Sequence, residues 1–108
     1  MTGAEVRRWL DEELANYPDR TPGQELRTYL VRRTAPLVAT DRTSLVEALS
    51  AWLQLREEPR TMLAMRIAAE HRLVELHGAV AELLEDVRAG EAFLPYYERW
   101  ILEALEQL

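Results

Sequence analysis

The chain predicts an all-α fold of five or six helices, arranged as an antiparallel helical array or an irregular helical bundle. Apolar residues recur at helical spacing along its length, and no run alternates as a half-buried strand does. Ser, Thr, Pro and Gly stand where helices would start and stop. Its 108 residues amount to a single domain, an N-terminal helical pair over 1–40 followed by a helical array over 44–108.

The elements follow in order. Thr2-Gly3-Ala4-Glu5 fits a capping box, and Val6, Trp9, Leu10 and Leu14 form the stripe that follows it, closing at Tyr17-Pro18. Thr21-Pro22-Gly23-Gln24 offers a second cap with Pro at the first helical position. The helix it opens passes through Leu26, Tyr29, Leu30 and Arg33, and Pro36 is expected to end it or to start a short turn containing Leu37 and Val38. Ser44-Leu45-Val46-Glu47 reads as a third capping box ahead of the face made by Leu45, Val46, Leu49, Trp52 and Leu53.

The C-terminal half is denser. Residues 59–76, 78–88 and 93–108 each carry helical patterns with little between them, punctuated by Gly78 and Gly90. Helices joined so tightly are expected to lie antiparallel along a common seam. The first is apolar on more than one side, as a central helix is. His77 is placed at its C-terminus, where an imidazolium is favoured by the dipole, and Gly90 where a left-handed cap ends the second.

Composition narrows the function classes. With 48% hydrophobic and 30% charged residues, the chain reads as soluble and globular. No apolar run approaches the roughly 18 residues that span a bilayer. The first residues show no secretory pattern, and the absence of Cys excludes disulfides and thiolate ligands, so the cytoplasm is the expected location. All 13 basic residues are Arg, as coding bias in a GC-rich genome would produce; the alternative is selection for bidentate Arg contacts, which nothing in the sequence requires. Residues 1–42 hold 7 Arg and 7 acids, whereas 43–108 hold 6 Arg and 12 acids, so the net charge of −6 falls on the second part. That face would repel phosphates.

Residues 59–90 resemble a HEAT-like, armadillo-type helical repeat. Pro59-Arg60-Thr61-Met62-Leu63-Ala64-Met65-Arg66-Ile67-Ala68-Ala69-Glu70 is similar to its first helix, and Ala79-Val80-Ala81-Glu82-Leu83-Leu84-Glu85-Asp86 to its second. Only one repeat is complete, and 1–40 show no matching unit. The resemblance implies a scaffold or adaptor that offers a helical surface to another protein.

Candidate residues sort by chemistry. Tyr96, Tyr97 and Trp100, with Phe93, fall on one broad stripe of the last helix, as core or as a partner-binding surface; Trp9 and Trp52 carry the same two readings. The partner is another protein or a second copy in a homodimer. The alternative is nucleic-acid binding by Arg27, Arg32, Arg33 and Arg42, since residues 20–42 hold 5 Arg against Glu25 and Asp41. His71 and Glu75 have i, i+4 spacing but lack a third ligand. No catalytic residue, metal site or cofactor motif is expected, and the chain reads as a non-enzyme.

Overall fold

A computed structural model describes residues 1–18 and 23–108, among which there are six α-helices and no strand. The Thr2 capping box forms: the Thr2 hydroxyl accepts from the Glu5 N–H, and the Glu5 carboxylate accepts from the Thr2 N–H. It opens α1, Gly3–Asn16, which buries Val6 and Leu10 completely. Gly3 has a second role within that motif. A Cβ there would stand 2.6 Å from the Cβ of Glu47, so its missing side chain is what lets α1 lie on the third helix.

The cap expected over Thr21-Pro22 lies outside the described residues. From Gly23, α2 runs to Thr40 and passes through Pro36, where the sequence led us to expect its end. The ring removes one ladder donor, and the carbonyl left without it belongs to Arg32. Arg32 and Pro36 are both exposed, so that oxygen is not shut away from solvent, while Leu37 and Val38 continue the inner face. After a single residue, Asp41, α3 spans Arg42–Gln54. Ser44 is thus inside the helix rather than its cap, and its hydroxyl donates to the Met1 carbonyl at 2.6 Å.

Three helices end through a left-handed residue, and only one of these is glycine. Gly90, at φ 76°, closes α5 (His77–Arg88) as its position in the sequence implies. The Glu91 N–H reaches the Asp86 carbonyl and the Gly90 N–H reaches Val87, which is a Schellman motif. Arg72, at φ 51°, does the same for α4 (Arg60–Glu70), with Leu73 bonding back to Ala68 and Arg72 to Ala69. Arg56, at φ 52°, ends α3 in a variant of it. There the buried Thr61 hydroxyl accepts from the Glu57 N–H and donates to the Trp52 carbonyl, both at 2.9 Å.

The Arg72 bend corrects two expectations. Residues 59–76 are not one helix: α4 stops at Glu70, Leu73 turns into the core, and a 3₁₀ turn at Val74–Leu76 leads into α5. His77 therefore opens a helix instead of closing one, and Gly78 lies in its first turn. In place of a hairpin with α4, α5 finds its main partners in α3 and in α6, Glu98–Gln107. The helices form an irregular bundle in which α3 packs on α1, α2, α4 and α5, while α4 also packs on α2 and α6. Trp52, Met65, Ile67, Leu83 and Ile101 are fully buried at its centre. No helix among the described residues is long and apolar enough to cross a membrane.

Candidate protein-binding surface

The approach to α6 gathers the predicted aromatic stripe. Phe93 takes a left-handed conformation, φ 53°, and a 3₁₀ turn at Pro95–Tyr97 runs directly into the helix. Four rings interlock as a result. Tyr97 is at the centre: Phe93 is tilted against it at 5.3 Å, Tyr96 stacks on it at 4.6 Å, and Trp100 meets it edge-on at 5.2 Å. Tyr97 itself is only 6% exposed and donates its hydroxyl to the Glu58 carboxylate, just ahead of α4. That hydrogen bond, followed by the neighbouring Tyr96, pushes the phenol's pKa well above its usual range. Tyr97 thus belongs to the fold, holding α6 to the start of α4. Tyr96 and Trp100 remain accessible at 58% and 39%.

Beside Trp100 lies a cleft of about 370 Å³. Both α2 and α6 pack on α4, and the space between them is floored by α4. Pro59, at the N-cap of α4, and Met62, Leu63 and Arg66 within it follow one another at i, i+3, i+4 and i+7, so a single helical face supplies that floor. Leu26 and Arg27 of α2 form one wall, and Trp100 forms the other. The surface is apolar along most of its length, with cationic groups from Arg27 and Arg66 and, beside Pro59, the Glu58 carboxylate that accepts the Tyr97 hydroxyl. Neither Arg27 nor Arg66 forms an ion pair with a described carboxylate.

The other aromatic candidates are committed within the molecule. Trp52 is fully buried, so it cannot meet a partner; its indole N–H donates to Asp11 at 3.0 Å and the Arg60 guanidinium lies over its ring. Trp9 is half-buried, with the Arg33 guanidinium 5.5 Å above its ring.

The four arginines of the alternative reading are dispersed. Arg27, Arg32 and Arg33 project from α2 in three directions more than 90° apart, because each residue turns the helix by about 100°. Arg33 bonds Glu13 at 3.1 Å, across to α1. Arg42 holds Glu75 through two bonds, 2.6 and 2.9 Å, which depress the Glu75 pKa to about 2. Arg27 faces the cleft, leaving Arg32 exposed without an ion pair among the described residues. They make no common phosphate-binding face.

Nor do His71 and Glu75 share a helix face, because Arg72 breaks the helix between them. The His71 Nε2 turns inward, toward the Val31 carbonyl at 3.1 Å and the Thr34 hydroxyl at 2.9 Å, while Glu75 turns outward to Arg42. Among the described residues no three His, Cys, Asp or Glu side chains are grouped to hold a metal ion.

Leu26, Met62 and Arg66 are the surface residues that sequence reasoning missed. Their signal was present in part, as the i, i+3, i+4, i+7 face of α4. What it lacked was the knowledge that α2 and α6 leave that face uncovered between them. No family model matches this chain, and no curated protein or solved structure matches it.

Proposed function

We propose that this chain is a non-catalytic protein-interaction module that binds through the surface formed by Tyr96, Trp100 and the adjoining cleft. The observation that carries this reading is the continuity of the two. Trp100 is both a wall of the cleft and a member of the aromatic cluster, so one apolar surface runs from α4 across α6. A large, half-exposed Trp set against a pre-formed groove is the usual anchor arrangement of an interface. Self-association and a foreign partner are both compatible with this surface. The internally paired Arg33 and Arg42 weigh against the nucleic-acid alternative.

Light scattering over a concentration series separates the two kinds of partner. A mass that rises with concentration, and that stays monomeric in Tyr96→Ala plus Trp100→Ala, assigns the surface to a second copy. A constant monomer assigns it to another protein. A dimer unaffected by the double substitution refutes this surface as the site. Tyr97 is left intact because its removal would disturb the fold.

A further inference from the structure

We infer that the cleft between α2, α4 and α6 receives an amphipathic helix of a partner protein, with a carboxylate of that helix bound by Arg66 and Arg27. This rests on the interaction reading above and gives the partner its chemistry.

Shape comes first. The first turn of α2 and Trp100 of α6 flank a floor made by α4, and a further helix laid along α4 would complete a bundle there. The floor offers Met62 and Leu63 as neighbours and Pro59 one turn earlier, which matches apolar anchors at i, i+3 or i+4, and i+7 on the incoming helix. Met62 is half-buried and flexible, so the floor can adapt to the anchor. The apolar surface continues over Trp100 and Tyr96, beyond the reach of a ligand confined to the cleft.

Charge comes second. Arg66 is half-buried, on the same face of α4 as the apolar floor. Burial is the main influence against its charge, and the like charge of Arg27 adds to it, while Glu103 and Glu70 act in the opposite sense without pairing to it. A guanidinium that has lost part of its hydration and faces a second cation is poised for a carboxylate, which it can hold in a bidentate fork. Residues 43–108 carry the net charge of −6, so an acidic helix is repelled over much of that part of the chain and drawn to these two arginines.

The full chain is used to select from a displayed library of helical peptides about four turns long. The selected peptides should share the apolar spacing above and be enriched in Asp or Glu beside it. Their affinity, read by fluorescence anisotropy, should fall about tenfold or more on Arg66→Gln. Glu→Gln in the peptide should cause the same loss, and the two changes together should cost less than their sum. The peptide substitution keeps the test decisive should Arg66→Gln alter folding. Peptides that bind with no acidic preference, or whose affinity ignores both Arg66→Gln and Met62→Glu, overturn this inference and leave the interaction reading standing. A dimer that Arg66→Gln dissociates also overturns it, since the occupant is then a second copy. If no peptide is selected, the helix inference falls, while the interaction reading stands or falls on the light-scattering series above.

Discussion

Replacing Thr61 by valine preserves the shape of a fully buried side chain and removes one oxygen. That oxygen bridges the end of α3, taking the Glu57 N–H and giving its proton to the Trp52 carbonyl, both at 2.9 Å. In Thr61→Val the carbonyl is left unpaired in the interior, at a cost of about 1–3 kcal/mol. The Glu57 N–H lies nearer the surface and recovers part of its loss from water, so the sum is roughly 2–3 kcal/mol. For a domain of this size that lowers the melting temperature by about 10 °C. Thr61→Ser is the matched control: it keeps the hydroxyl and loses one buried methyl, worth about 1 kcal/mol. Urea unfolding followed by far-UV circular dichroism should therefore rank the wild type above Thr61→Ser and Thr61→Ser above Thr61→Val. If Thr61→Val is as stable as Thr61→Ser, the hydroxyl is not what closes this helix end, and the reasoning fails.

Two further stability predictions use the same assay. Gly3→Ala places a methyl against the Cβ of Glu47, which helical backbone holds in place, so it should destabilise by about 1–3 kcal/mol despite the better helix propensity of Ala; unchanged stability would mean that α1 shifts freely on α3. Burial, and to a lesser degree the Arg42 charge, lower the pKa of His71 below its model-peptide value of 6.5, outweighing the Val31 carbonyl and Glu70, which act to raise it. A depressed folded pKa means stability that is complete above 6.5 and lost as pH falls through that value toward the folded one. The urea midpoint should drop between mildly alkaline and mildly acidic buffer, and His71→Asn should flatten that dependence; an equal drop in the variant would assign it to other groups.

Local chemistry determined much of this protein from sequence alone. The Thr2–Glu5 capping box, the left-handed Gly90 and the inward faces of α1, α3, α5 and α6 each depend on residues within a turn or two of one another, so spacing is enough to read them. The aromatic grouping around Tyr97 was legible for the same reason. Its division into a buried ring and two exposed ones was not, because Glu58 lies 39 residues away in sequence. Tertiary structure made the remaining decisions where local preferences were weak or opposed. Arg56 and Arg72 take a conformation that favours glycine because the chain must turn there to bury Leu73 and to let Thr61 close α3. Pro36 stays helical because its vacant carbonyl partner is not shut away from solvent. The cleft exists only because α2 and α6 both rest on α4 without filling the space between them. Helical periodicity reports which face of a helix is apolar, whereas which part of that face is covered depends on where the other helices come to rest.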